Sequence, residues 1–292
     1  MSYPRITIVT PVYNQASYIE QTILSVINQG YPNLEYIIVD GGSTDGTINI
    51  VNKYLRYISC FISEPDRGMY DAIQKGFSIS SGEIMGWLNA DDTFFDNCLY
   101  AIANVFTNNP NVNWITGNHV AINEDGLIIR NTLSRHFSKY NFFLKDYKWI
   151  GQESTLWRRC LWEKTGAKMA THLRFAGDFE LWLRFIQADQ LFCVDTLIGT
   201  YRRRIGQLSR SMEKYYDEVD KVYSDLKISD DDKRICNMYL KKKKYAAIIN
   251  KTKVFNGNKI MRLKSFEKKY FNARPPIQWN EEDGVFYIPS MH

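Results

Sequence analysis

The sequence predicts an α/β fold on a doubly wound parallel sheet, and three observations carry that expectation. Between Arg5 and Leu88, short β-branched runs alternate with segments of helical period. The connections between them are short, as successive βαβ units require. Each apolar run ends in a polar loop, which is where ligands bind in sheets of this kind.

Arg5 to Thr10 reads as the first strand, and Ala16 to Gln29 as a helix with Ile19, Ile23, Val26 and Ile27 on one face. Leu34 to Val39 is the second strand, and it runs into the glycine-rich loop Asp40 to Gly46. Thr47 to Arg56 is helical, Tyr57 to Ile62 is a short strand, and Gly68 to Ser80 is a helix with Ile73 and Phe77 as core positions. Glu83 to Leu88 is the fourth strand, followed at once by Asn89-Ala90-Asp91-Asp92. Val112 to Arg130 holds two strand-like runs around Asn123-Glu124-Asp125-Gly126, where Asp-Gly supplies the positive-φ positions of a hairpin. Residues 134 to 165 are aromatic-rich and irregular. Asp178 to Ala188 is a helix with Phe179, Leu183 and Ile186 at core spacing, and Leu191 to Tyr201 is a strand. From Met212 the chain reads as basic helices, then a tail carrying Arg274-Pro275-Pro276.

A chain of 292 residues suits one large domain, or one domain with an appendage. The net charge of +5 is unevenly placed, because Lys233 to Arg274 carries fourteen basic residues against one acidic residue. Five scattered cysteines, odd in number and never spaced C-x-x-C, argue against a disulfide framework or a zinc site and for a reducing compartment. No apolar signal core opens the chain, and no run reaches the ~18 apolar residues needed to span a bilayer. The expectation is a cytoplasmic protein, at most peripheral on the inner face of the cytoplasmic membrane.

Four strand-tip loops hold the candidate chemistry. Pro11-Val12-Tyr13-Asn14 fixes the exit of the first strand and offers the Tyr13 ring either to a nucleobase or to loop packing. The loop from Asp40 pairs a carboxylate with glycines that permit close backbone approach, without the lysine of a P-loop. Glu64-Pro65-Asp66-Arg67-Gly68 places Arg67 at a helix N-terminus, where a diphosphate would be favoured. Asp91 and Asp92 repel unless a cation offsets them, and Mg²⁺ often binds through one or two carboxylates plus substrate phosphates. A lone Asp-Asp fits a strand end or a helix cap equally well. Four such loops on one sheet edge are far more specific.

Taken together, the segments Ile6 to Asn14, Val39 to Thr47 and Leu88 to Asp92 resemble the signatures of family-2 glycosyltransferases of the GT-A fold. Gly151-Gln152-Glu153-Ser154 and Gly177 to Arg184 do so as well, and the resemblance spans residues 5 to 209. It implies a GT-A-type doubly wound mixed sheet and inverting transfer of a sugar from a nucleotide diphosphate sugar with a divalent metal, Mn²⁺ or Mg²⁺. It implies a nucleotide-sugar site drawing on Tyr13, Asp40 and Asp91, with Asp92 as the direct metal ligand and Asp91 as its partner. The loops themselves add Pro11 and Arg67, the latter fitting a solvated surface arginine as well. Asp178 matches the general base; without the resemblance an N-cap aspartate is an equal reading. Gln152 and Trp182 are the candidates for acceptor contact, with Trp182, one turn along from Asp178, read by default as a core tryptophan.

Three departures stand out. Asn89 occupies the first position of the DXD motif, which leaves Asp91 and Asp92 to carry the metal. Gly41 stands where many relatives have a second acid, so uracil recognition is not implied. Tyr201-Arg202-Arg203-Arg204 ends in arginine where some relatives have a histidine ligand, so Arg202 or Arg204 is expected to neutralise phosphate. His119, His136, His172 and His292 have no metal-like spacing.

The expected organisation is a GT-A domain over residues 1–209 and a small, basic, mainly helical extension over 210–292. The expected enzyme is a hexosyltransferase acting on a saccharide or lipid-linked saccharide acceptor in bacterial surface polysaccharide synthesis. A sugar nucleotidyltransferase is a rival, disfavoured because no basic Gly-rich loop follows the first strand. A degenerate glycan-binding domain is another, opposed by the intact Asp91, Asp92 and Asp178. The lysines Lys241 to Lys244, beside Tyr245, Ile248 and Ile249, fit either a solvated helix or an anionic membrane surface. No recognition motif accompanies the charge, so nucleic acid is not an expected partner.

Overall fold

The structure is a computed structural model that describes residues 3–133, 138–145, 150–205, 207, 211–251, 257–271 and 276–289. The expected boundary at 209, His136, His292, Arg274, Pro275 and the side chains of Ile248 and Ile249 lie outside the described residues.

The first half alternates as the sequence requires. Strand β1 (Ile6–Val12), helix α1 (Ile19–Ile27), β2 (Leu34–Asp40), α2 (Thr47–Asn52), β3 (Cys60–Ser63), α3 (Met69–Ile79) and β4 (Ile84–Trp87) follow in order. These four strands lie parallel in the order β3-β2-β1-β4. Period-two alternation explains the two cores. Ile6, Ile8 and Ile38 enter one layer with α1, whereas Val9, Ile37 and Val39 enter the other with α3.

The remaining elements are β5 (Thr93–Phe94), α4 (Cys98–Asn108), β6 (Trp114–Ile122), β7 (Ile128–Thr132), α5 (Lys139–Phe143), β8 (Thr155–Arg158), α6 (Arg159–Lys164), α7 (Gly177–Ala188), β9 (Phe192–Arg202), α8 (Met212–Ser224), α9 (Asp230–Lys251), α10 (Gly257–Tyr270), β10 (Gln278–Asn280) and β11 (Val285–Tyr287). Strand β8 runs antiparallel to β4 and to β6, while β9 lies parallel to β6. The sheet is therefore mixed, and it carries the parallel half onward in the order β4-β8-β6-β9-β5, with β7 pairing the later half of β6, His119 to Ile122.

Several boundaries differ from the sequence reading. β1 continues to Val12 and takes Pro11 inside it. Val9 accepts from the Leu88 N–H, so odd positions of β1 address β4, and Pro11 falls beyond the last β1–β4 pair, Trp87 with Val9. Its missing N–H therefore removes no ladder bond. α2 ends at Asn52, and a short 3₁₀ turn, Leu55–Tyr57, replaces the rest of the expected helix. At the β6–β7 hairpin only Gly126 has positive φ, 87°. The expected tail forms strands: Ile277 bridges Val194 and is fully buried, and Phe286 packs in the same layer as α4.

Candidate functional site

The first two loops are laced together by short polar side chains. The Asn14 N–H donates to Ser43 Oγ at 2.7 Å, the Thr44 N–H to Asn14 Oδ1 at 2.8 Å, and the Ala16 N–H to Asp45 Oδ2 at 2.9 Å. Asp40 is completely buried, and its Oδ2 accepts from the Gly42 and Ser43 N–H groups and from the Ser63 hydroxyl at 2.7 Å. Asp40 and Pro11 are thus both buried, and the Asp40 carboxylate braces its own loop against β3. Tyr13 does face outward, 60% exposed.

The third loop contributes Asp66, which its local sequence does not mark out. A Cβ on Gly41 would lie 2.6 Å from Asp66 Oδ2, so the Asp66 carboxylate fills the place beside position 41. Burial pushes the Asp66 pKa up, with Asp71 and Asp40 adding to it. Arg67 is exposed at the start of α3 and pairs with Asp71 at 2.8 Å.

Asp91 and Asp92 sit at the tip of β4 as expected, in different surroundings. Asp92 is buried: its Oδ1 accepts the Arg202 N–H at 2.8 Å, and its Oδ2 accepts from Gln152 at 3.2 Å and Asn89 at 3.3 Å. Burial, the neighbouring Asp91 charge and Glu153 push its pKa well up. Asp91 Oδ2 accepts from Arg204 Nε at 2.7 Å. Arg204 therefore reaches the acidic loop, with its guanidinium over the Tyr18 ring.

Arg202 does not reach the site, and here the sequence expectation is corrected. Its guanidinium is buried and donates to the carbonyls of Asp91, Asn123 and Glu124 and to Gln21 Oε1. A side chain so fully committed holds the acidic loop to the β6–β7 turn and has no donor facing a phosphate.

The fifth component is the N-terminus of α7. Asp178 is not the N-cap, which is Ala176; it lies in the first turn, where its Oδ1 accepts the Phe179 N–H at 2.7 Å and the Tyr70 hydroxyl lies 3.3 Å away. Glu218 of α8 does the capping, accepting the N–H groups of Arg174, Phe175 and Ala176. Tyr70 packs so close that a Cβ on Gly177 would meet its ring at 2.7 Å. Burial raises the Asp178 pKa to about 6, the Phe179 N–H and Tyr70 hydroxyl pull it back, and Glu153 adds to the rise. A carboxyl near 6 is matched to proton removal at neutral pH.

Glu153, also missed, links the two acidic centres, since it raises both Asp92 and Asp178. It is buried 3.1 Å from His119 Nδ1, and a Cβ on Gly151 would strike both side chains. Burial pulls the His119 pKa down, but Glu153 outweighs it and leaves it raised. Trp182 is corrected as an acceptor platform. It is buried and stacks between Trp87, at 5.6 Å and 14°, and Trp114, at 5.9 Å and 26°. Gln152 is found against Asp92.

Among the described residues no group of three His, Cys, Asp or Glu side chains could hold a metal. The Asp91–Asp92 pair still fits a hard cation that takes the rest of its shell from phosphate and water. The buried Asp92 charge lacks a full counter-charge, and the side-chain oxygens of Asn89 and Gln152 beside it are buried without a hydrogen-bond partner.

Comparison with known proteins agrees with this geometry. The family model described as glycosyl transferase family 2 matches residues 7–163. TuaG of Bacillus subtilis, named as a teichuronic acid biosynthesis glycosyltransferase, is 37% identical over 92 residues, 30% of this chain and 36% of that protein. An uncharacterized glycosyltransferase of Rickettsia typhi is 24% identical over 227 residues, 76% of this chain and 71% of that protein. Staphylococcus aureus TarS in complex with UDP-GlcNAc superposes with a TM-score of 0.65 at 15% identity, over 80% of this chain and 70% of that one. The mannosyltransferase PcManGT of Pyrobaculum calidifontis, in complex with GDP-Man and Mn²⁺, does so with a TM-score of 0.60 at 19% identity, over 93% and 82%. These likenesses show the expected GT-A-type α/β architecture. With the family model covering more than half of its residues, the chain belongs to glycosyl transferase family 2 and is a glycosyltransferase.

Proposed function

We propose that this enzyme transfers a hexosyl group, with inversion, from a nucleotide diphosphate sugar to a hydroxyl of a saccharide or lipid-linked saccharide acceptor in cell-surface polysaccharide synthesis. The observation that carries the reading is Asp178, a carboxyl in the first turn of α7, bonded by the Phe179 N–H and the Tyr70 hydroxyl and raised by burial to about 6. In that reaction the bond from the anomeric carbon to the phosphate oxygen breaks, and the nucleoside diphosphate leaves with the electron pair. The acceptor oxygen bonds to the opposite face of the sugar, and Asp178 takes its proton.

Asp92 and Asp91 would hold a divalent metal, Mn²⁺ or Mg²⁺, which when bound supplies Lewis-acid stabilisation of the diphosphate. Arg204 adds positive charge beside Asp91, and Tyr13 offers a ring face to the base. The solved relatives carry UDP-GlcNAc or GDP-Man, which supports a nucleotide-sugar donor without choosing its base. We place the reaction in the GT-A part of the chain, residues 1–209, with 210–292 as an extension. Among the described residues no helix is long and apolar enough to cross a membrane.

The test is thermal stabilisation by a panel of nucleotide sugars with and without Mn²⁺ or Mg²⁺, followed by product stereochemistry from NMR. Metal-dependent stabilisation and an inverted anomeric centre are expected. Retention of configuration, or stabilisation indifferent to metal, would overturn the mechanism.

A further inference from the structure

We propose that the outer edge of β7 is the surface by which this chain meets an anionic lipid bilayer. The inference rests on the lipid-linked acceptor proposed above and names the face that would bring such an acceptor to the site.

Among the described residues β7 pairs only with β6, and its other side is an open strand edge. The apolar side chains along it, Leu127, Ile128, Ile129 and Leu133, are each more than half exposed. Ile205 joins them, 77% exposed and tied to the hairpin tip through its N–H to Glu124 Oε1. Scattered exposed aliphatics are ordinary, but five on one hairpin and its neighbour form a patch that calls for a partner.

The patch flanks the site along its length. At one end, the Asn123 and Glu124 carbonyls of the hairpin turn receive the Arg202 guanidinium, which also holds Asp91. At the other, Thr132 pairs with His119, whose imidazole touches Glu153. A surface in contact with β7 would therefore lie against the rim where donor and acceptor are to meet.

Charge decides between the two occupants that an apolar strand edge invites. A second copy pairing antiparallel through β7 would place Arg130, the midpoint of Ile128–Thr132, opposite its own copy. Like charges directly opposite are destabilising. Arg130 is exposed, as is Arg203 beside Ile205, and both suit lipid phosphates. Glu124 and Asp125 at the tip are exposed and carry their own negative charge, bonded only to the neutral Ile205 N–H and Asn123 amide. The face that suits an anionic surface is therefore the strand edge around Arg130 and not the hairpin tip. Aliphatic insertion flanked by arginine is the pattern of an interfacial contact.

The experiment is flotation of the full chain with vesicles of phosphatidylcholine, alone or mixed with phosphatidylglycerol, beside sedimentation velocity and nucleotide-sugar turnover on the same samples. The parent should float with the mixed vesicles. Leu127→Ser/Ile128→Ser/Ile129→Ser should weaken binding by about tenfold or more, with turnover on a soluble acceptor kept. Arg130→Gln should weaken it at low salt and have less effect at high salt. Replacing Lys241 to Lys244 by Gln should leave most of the binding intact. Parental binding by the triple variant, loss of binding with the lysines instead, or a dimer that the triple variant breaks would each overturn the inference. Turnover without vesicle binding sinks this inference and spares glycosyl transfer; vesicle binding through β7 without any donor turnover does the reverse.

Discussion

The Tyr70 hydroxyl lies 3.3 Å from Asp178 Oδ1 and 3.2 Å from the Phe175 carbonyl, so one proton from α3 serves both sides of the α7 N-terminus. A hydroxyl donating to a carboxylate favours its charged form and lowers its pKa. Activity should therefore fall as pH drops through about 6, where Asp178 gains its proton. Tyr70→Phe should move the acidic midpoint of kcat/KM to higher pH. A pH–rate profile for both proteins checks this, and coincident midpoints would show that the bond does not tune the base.

Asp178→Asn should separate chemistry from stability. Loss of a general base costs ~10²–10⁴-fold in rate, and donor affinity should barely change. The folded pKa, about 6, stands above the ordinary 3.8, so the fold favours the protonated carboxyl. Its contribution is fully present below pH 4 and is lost as pH rises to 6. Asparagine removes that loss, and above pH 6 the variant should be more stable by on the order of 1 kcal/mol. Thermal melts across pH 4 to 8 test the sign, and a variant that is inactive because it unfolds would contradict it.

The acidic loop should depend on metal through Asp92 more than through Asp91. Asp92→Asn keeps the bond from the Arg202 N–H but removes the charge, and should abolish metal-dependent stabilisation by donor nucleotide. Asp91→Asn should do less. Donor binding that is indifferent to chelator, or undiminished in Asp92→Asn, would count against the assignment.

Two arginines from one segment should behave oppositely. Arg202→Leu leaves the Asp91, Asn123 and Glu124 carbonyls without their buried donor, and should destabilise the fold by roughly 3 kcal/mol or more. Arg204→Gln should spare most of the stability and raise the KM for the donor, since its charge stands at Asp91. Denaturant melts and donor kinetics on both variants distinguish the roles.

Glu218→Gln tests the cap. It removes the negative charge at the N-terminus of α7 and weakens acceptors for three N–H groups, which should cost about 1 kcal/mol and lower kcat through a looser Asp178. Unchanged melting and unchanged kcat together would show that the contact is idle.

The parallel half was legible because its strands alternate inward and outward positions and end in polar loops. Helix α4 was overlooked although Leu99, Ile102, Ala103 and Phe106 have helical spacing; its start, Asn97 with φ of 62°, lacks a side-chain cap to announce it. The four-residue β8 is too short to show a period, so the antiparallel turn of the sheet was visible only through family resemblance. The core position of Trp182 was legible as its default, since it lies three residues after Phe179 and four before Ile186 on one helical face. Arg202 and Arg204 are alike in sequence, and only the bonds made by Arg202 separate a structural guanidinium from one at the site. Asp66 and Glu218 owe their roles to partners distant in sequence, Gly41 and the α7 N-terminus, which no local pattern encodes.

The strand pair β10–β11 has a consequence for how the chain is made. Asn104 of α4 bonds the Gly284 carbonyl and the Phe286 N–H, Asn109 bonds the Phe286 carbonyl, and Ile277 lies buried beside Val194. These partners are separated by 177 to 182 residues for the asparagine bonds. On the ribosome, the first core layer waits with an uncovered flank until residues 277 to 288 have been synthesised. Contacts so distant along the chain close slowly, and the waiting apolar surface is the stage at which a nascent chain is open to chaperone capture or aggregation.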